Sequence, residues 1–292
     1  MGTHTDQSLL DRITGALAPV GGVHALVLGG SRGRGTQHDA SDYDIGLYYR
    51  GGLDFEALER AAQALNEPDA DGKRGAWRRP GEPLMSPLGW WGEWVNGGGW
   101  LTVGGMPVDI LYRDLDRVER VTGDVEHGEF TCAYHYGHPH AFVSHMYAGE
   151  VAIARALHDP QGEVAACKAR LSVYPPALCD AIVARFGHEG RFFLAIAEKA
   201  AARGDIAYVT GCAFRAASCL LQVVFAINGE WLINEKGAVA LAAKFALVPK
   251  DFRLELEGAL AELAAGPQGM LSALRALGDL MDQASALAQA RT

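Results

Sequence analysis

Apolar and polar positions change rhythm near the middle of the chain. Up to about residue 125 the apolar residues come in short β-type runs separated by glycines, and beyond Gly149 they recur with helical periodicity in Ala- and Leu-rich stretches. In the first half, 8–17 reads as a helix ending before Pro19, and 23–28 is almost wholly apolar, as a central strand is. Gly29 and Gly30 stop that run. A second strand is predicted over 44–49, a helix over 55–65, and a hairpin from 100–103 and 108–112 around Gly104 and Gly105. In the second half, helices are predicted over 149–157, 163–171, 176–203, 205–227, 237–244, 251–265 and 270–288. The breaks between them include Pro175 with Pro176, Gly204, Asn228 with Gly229, and Gly266 with Pro267. The expected fold class is α+β: an N-terminal domain over 1–125 with a small mixed sheet, then a C-terminal α-helical bundle over 126–292.

Composition adds compartment and partner. A chain of 292 residues buries a full core without covalent staples. Its cysteines, Cys132, Cys167, Cys179, Cys212 and Cys219, are odd in number and lack framework spacing, which points to a reducing, cytoplasmic setting. The first seven residues are polar, with neither a basic start nor an apolar run. No later segment approaches the roughly 20 uncharged apolar residues of a membrane span, so no membrane partner is expected. A formal net charge of -9 argues against a long polyanionic partner such as nucleic acid, and suits a small cationic or neutral one.

The stretch that points to chemistry runs from Leu28 through Gly29, Gly30, Ser31, Arg32, Gly33, Arg34, Gly35 and Thr36, and then Ser41, Asp42, Tyr43, Asp44 and Ile45. Side chains two apart on a strand share a face, so Asp42 and Asp44 project together with Cα atoms about 7 Å apart. Tyr43, Ile45 and Leu47 give the other face an apolar surface to pack. Two carboxylates aimed into one space repel unless a cation lies between them. Oxygen-only ligands favour Mg²⁺ or Mn²⁺ over zinc, and a pair of ions about 3.5 to 4 Å apart is the usual clamp for in-line phosphoryl or nucleotidyl displacement. The Gly30-Ser31 turn lets backbone N–H groups approach a phosphate, with the Ser31 hydroxyl as a further donor and Arg32 and Arg34 offering charge. No Gly-Lys-Ser or Gly-Lys-Thr follows, so the turn is not a Walker A loop.

A further carboxylate, Asp109, sits between Val108 and Ile110 in an apolar run, where an Asp is costly unless it meets a metal or an acceptor hydroxyl. It is a candidate metal ligand and general base. With the Gly30-Ser31 turn and Asp42-Tyr43-Asp44, it makes the first 115 or so residues resemble the DNA polymerase beta-type nucleotidyltransferase superfamily. The helical second half makes the chain similar to the aminoglycoside and lincosamide nucleotidyltransferases of antibiotic resistance. The resemblance implies transfer of a nucleoside monophosphate, AMP from ATP, to an acceptor hydroxyl with release of pyrophosphate. It further implies phosphate contacts at Gly30 and Ser31 and two Mg²⁺ ions held by Asp42, Asp44 and Asp109. The expected acceptor is a small hydroxylated molecule, cationic in view of the acidic balance. A homodimer is compatible with the resemblance, and no feature of the sequence demands one.

Other signals have two readings each. Cys132, His135, His138, His140 and His145 invite a zinc site, but their spacing fits no familiar pattern, and Gly137 with Pro139 points to a connecting loop. Of Trp77, Trp90, Trp91, Trp94 and Trp100, one or two are expected to serve a nucleobase or flat acceptor and the others to pack. In the bundle, Glu189, Glu198 and Glu235 are candidates for binding a cationic acceptor or acting as base in place of Asp109, and Lys236 for reaching the triphosphate; the plain alternative is solvated helix charge. Two rival functions remain: modification of a protein or RNA acceptor by the same chemistry, and a non-catalytic nucleotide-binding regulator of the same fold.

Overall fold

The structure is a computed structural model that describes residues 2–35, 41–68 and 81–291. Thr36 and Trp77 lie outside the described residues. In chain order the elements are α1 (Gly2–Leu17), β1 (Val23–Leu28), α2 (Gly30–Arg34), β2 (Tyr43–Tyr49), α3 (Phe55–Leu65), β3 (Gly98–Val103), β4 (Met106–Asp114) and α4 (Leu115–Glu126). There follow β5 (Cys132–His135), β6 (His138–Val143), α5 (His145–Ile153), β7 (Arg155–His158), α6 (Glu163–Arg170), α7 (Pro176–Ala202), α8 (Ile206–Ile227), α9 (Ala238–Ala242), α10 (Phe252–Glu262) and α11 (Gly266–Ala290). The class is α+β. The chain divides into two compact units that interleave in sequence: Met1–Thr122 with Tyr147–Ser172, and Gly123–Met146 with Val173–Thr292.

The first unit is built on a five-stranded mixed sheet in the order β3-β4-β2-β1-β7. Strands β2 and β4 run parallel, and the other neighbours are antiparallel. Alternation decides its faces. Tyr43, Ile45 and Leu47 of β2 and Val108, Ile110 and Tyr112 of β4 are buried together with Leu9, Leu10, Ile13 and Leu17 of α1 and Leu58, Ala62 and Leu65 of α3. Helix α3 starts where the Asp54 carboxylate accepts the Ala57 N–H, an N-cap that fixes its first turn. The opposite sheet face carries Tyr48 and Arg113 at one end, both buried, and Asp44, Asp109 and Trp100 at the other, all partly exposed. Arg113 is held by a bidentate pair with Glu150 of α5, at 2.6 and 2.7 Å.

Two sequence expectations change here, and one helix is additional. The helix read over 149–157 is α5 ending at Ile153 followed by the edge strand β7, which pairs with β1; a four-residue edge strand leaves no period to read. The stretch 132–145, expected as a loop, holds the β5–β6 hairpin, turning at Gly137 with φ of 80°. Helix α4 was not anticipated.

In the second unit α7 packs along α8, and α11 packs on both. Gly190 permits the close approach: a Cβ there would lie 2.6 Å from Met281 Cε and 3.2 Å from Cys219 Cβ. Helix α8 corrects the expectation that no segment approaches a membrane span, since its 22 residues have the length and apolarity of one. Its apolar side chains from Val209 to Ile227 are largely buried within the unit, as those of a core helix are. All five cysteines are free thiols.

Candidate active site

Asp44 and Asp109 are register partners on the adjacent parallel strands β2 and β4. Partners in register project to the same side of a sheet, with backbones about 4.8 Å apart. The two carboxylates therefore share one face, while their flanking residues Tyr43, Ile45, Val108 and Ile110 are buried on the other. Asp42, exposed, stands immediately before β2, two residues from Asp44.

The glycine turn adjoins Asp44. Strand β1 pairs with β2 as far as Leu28 and Ile45, and the Gly29 N–H then donates to the Asp44 carbonyl at 2.8 Å. Gly30 follows with φ of 56°, opening α2. Its Cα lies so close to the Asp44 carboxylate that a Cβ would fall 1.7 Å from Oδ2. Ser31, partly exposed, is next in the same turn. Gly33 closes it, donating its N–H to the Gly29 carbonyl at 2.7 Å.

Arg32 is tied to the segment that carries Asp42. Its guanidinium lies 3.8 Å from the centre of the Tyr43 ring and donates to the Ser41 carbonyl from Nε at 3.2 Å and from Nη2 at 3.0 Å. Asp6 completes the brace, 3.7 Å from Arg32 Nη1 and accepting from the Tyr43 hydroxyl. Burial, and then the Asp6 carboxylate, push the Tyr43 phenol up to about 12, so the hydroxyl remains a donor. This arrangement fixes the lead-in to the carboxylate pair.

On the other side of Asp109 lies Trp100, its register partner on β3. The Trp100 ring meets that of Trp91 with centroids 4.2 Å apart, placing an aromatic pair beside the carboxylates. Trp94 packs elsewhere, edge-on to Tyr147 and near the Arg117 guanidinium, and Trp90 is exposed. Hairpin arithmetic identifies Trp100 from the sequence: a turn centred on Gly104 and Gly105 sets residue 100 opposite 109.

No protein-family model matches the sequence, and no curated protein matches it significantly. The chain is similar to solved structures. One of them is described as a nucleotidyltransferase-like protein from Exiguobacterium sibiricum 255-15; identity is 10%, the TM-score is 0.44, and the alignment covers 95% of this chain and 74% of that one. At that distance the chemistry of this site rests on its own residues.

Gly30, Ser31, Arg32, Asp42, Asp44 and Asp109 thus all belong to the first unit and to one end of its sheet. Lys236 belongs to the second unit, where it is exposed and its N–H donates to Asn234 Oδ1 at 2.8 Å. Glu189 pairs with Arg215 at 2.7 Å, and Glu235 accepts the His140 N–H at 3.2 Å, so both have partners within their own unit. Glu150, which anchors Arg113 on the same sheet face as Asp109, escapes sequence reading because its strand partner is known only from the fold.

Proposed function

We propose that the chain is a metal-dependent nucleotidyltransferase that moves a nucleoside monophosphate, AMP from ATP, onto a hydroxyl of a small molecule. The observation that carries this is the pairing of Asp44 with Asp109 across two parallel strands, beside a glycine turn that abuts the Asp44 carboxylate. The two acids form an all-oxygen set, which suits Mg²⁺. The missing Cβ at Gly30 leaves the Asp44 carboxylate its place against the turn. Asp44 and Asp109, with Asp42, would hold two ions; when bound, Mg²⁺ supplies charge neutralisation and orientation of the triphosphate.

The remaining work falls to the chain itself. The turn from Gly29 to Ser31 brings backbone close to phosphate oxygens without a side chain in the way. The Trp100 and Trp91 pair offers an aromatic ring face for a base. Asp109 accepts the proton of the acceptor hydroxyl as its oxygen bonds to the α-phosphorus; the bond from that phosphorus to the bridging α–β oxygen breaks, and pyrophosphate leaves. The second unit is assigned acceptor recognition, and the net charge of -9 favours a polycationic, aminoglycoside-like acceptor.

The test is pyrophosphate release from each of the four ribonucleoside triphosphates with Mg²⁺, across aminoglycosides, lincosamides and buffer, with Asp44→Ala as control. Release that needs an acceptor and vanishes in the variant supports the proposal. Absence of release with every small acceptor, from folded protein, overturns it.

A further inference from the structure

The histidine and cysteine residues around the β5–β6 hairpin have no part in nucleotidyl transfer, yet the fold of the second unit brings one of them, His140, together with residues of α7 and α8. His140 of β6, Glu189 of α7 and Cys219 of α8 bring one ligand atom each to within 4.8 Å of one another. His140 Nε2 and Cys219 Sγ stand 3.9 Å apart. With Zn–N of about 2.0 Å and Zn–S of about 2.3 Å, a tetrahedral edge between these atoms is about 3.5 Å. The pair is therefore already close to the separation a shared ion imposes.

The surroundings hold these residues in place. Arg215 donates from Nη2 to Glu189 Oε1 at 2.7 Å and from Nη1 to the His140 carbonyl at 3.1 Å. Glu235 accepts the His140 N–H at 3.2 Å, so the backbone of β6 is gripped on both sides of the imidazole. Outer partners of this kind fix the orientation of ligands. His140 and Cys219 are buried, at 4% and 0% exposure, and Glu189 is partly open, which gives an ion one route from solvent.

Charge and softness select the ion. A thiolate and a carboxylate with a neutral imidazole balance a divalent cation, and the sulfur and nitrogen donors exclude Mg²⁺ and Ca²⁺ in favour of zinc. We propose that His140, Glu189 and Cys219 form a mononuclear Zn²⁺ site in the second unit, with water in the fourth position. It is separate in residues and in metal class from the carboxylates of Asp42, Asp44 and Asp109.

The test uses the full chain, stripped with chelator, titrated with Zn²⁺ against a chromophoric competitor and with Co²⁺ by absorbance. The expected result is one Zn²⁺ per chain, and Co²⁺ spectra showing thiolate-to-cobalt charge transfer and tetrahedral d–d bands. Both should be lost in Cys219→Ala. Glu189→Gln, which keeps the side-chain shape, should weaken Zn²⁺ by more than the roughly 10- to 100-fold that loss of an outer partner costs. Asp44→Asn with Asp109→Asn should bind Zn²⁺ as the wild type does, which separates this site from the proposed catalytic one. Failure of wild-type protein, folded by circular dichroism, to give the cobalt thiolate band overturns the proposal, as does survival of that band in Cys219→Ala.

Discussion

A Cβ added to Gly30 would lie 1.7 Å from Oδ2 of Asp44, so the glycine and the carboxylate occupy adjoining space that no larger residue can share. The φ of 56° at Gly30 adds backbone strain to any substitution. Gly30→Ala is expected to displace the Asp44 carboxylate by an ångström or more, and a misplacement of about 1 Å at a reacting centre costs on the order of 100-fold in rate. Turnover should fall by that factor or more while the far-UV circular dichroism stays that of the wild type. An active Gly30→Ala enzyme would remove Asp44 from the mechanism.

Trp100 faces the same side of the sheet as Asp109 and packs against Trp91 with the rings tilted by 40°. If that pair receives the base, Trp100→Ala should raise KM for the nucleotide with little change in kcat. Stacking of a base on an aromatic ring contributes about 1–3 kcal/mol, so a rise of roughly 5- to 150-fold is expected. An unchanged KM in steady-state kinetics would leave the tryptophans a packing role only.

How much of this was readable beforehand depended on how local the information is. Strand β1 was legible to the residue because 23–28 is almost wholly apolar and stopped by Gly29 and Gly30, and the predicted span 55–65 of α3 is also the one found. Strand β7 was misread as helix because its partner β1 lies far back in the chain and only Leu26, Val27 and Leu28 specify it. The β5–β6 hairpin was hidden by its own composition, in which His135, His138 and Pro139 look like a ligand loop more than alternating strands. Period alone predicts Asp42 and Asp44 on one face, whereas β2 begins at Tyr43, one residue past Asp42. That Asp109 stands directly beside Asp44 required the parallel pairing of β2 with β4, which no spacing along the sequence encodes. The tie of Arg32 to Ser41, Tyr43 and Asp6 was equally invisible, since an arginine in a glycine turn reads as exposed.

The Arg113–Glu150 pair is buried on one side only, with side-chain exposures of 4% and 27%. Coulombic attraction from Glu150 and hydrogen bonds to it keep Arg113 charged against the opposing effect of burial. Removing the acid strands a buried guanidinium, which costs about 3–5 kcal/mol, whereas removing the arginine leaves a carboxylate that water can reach. Glu150→Ala should therefore lower the urea midpoint more than Arg113→Met does. The reverse order in equilibrium unfolding would show that the guanidinium is not desolvated.

His145 donates from Nε2 to Gln222 Oε1, 2.9 Å away, inside a shell that includes Phe130 and Trp231. Burial pushes its imidazole down from 6.5 to about 4, the Gln222 contact offsetting only part of that. Between pH 6.5 and 4 the unfolded chain takes up a proton that the folded chain refuses, so this residue lowers stability as the pH falls through that window and the loss levels off below it. The loss is on the order of 3 kcal/mol. Measured by urea unfolding, the stability of the wild type relative to His145→Gln should narrow by about that amount from pH 7 to pH 4. A difference independent of pH would mean that the imidazole is not buried neutral.

The central claim is that Asp44 and Asp109 hold metal for a triphosphate as a pair, and it can be tested without knowing the acceptor. Mn²⁺ binding would be followed by electron paramagnetic resonance with an α,β-methylene analogue of ATP, in the wild type and in Asp44→Asn, Asp109→Asn and the double variant. The account predicts about two Mn²⁺ ions per chain in the presence of the analogue, and loss of that binding in either single variant, with the double variant no worse. Binding of Mn²⁺ and nucleotide that persists in both single variants would contradict it.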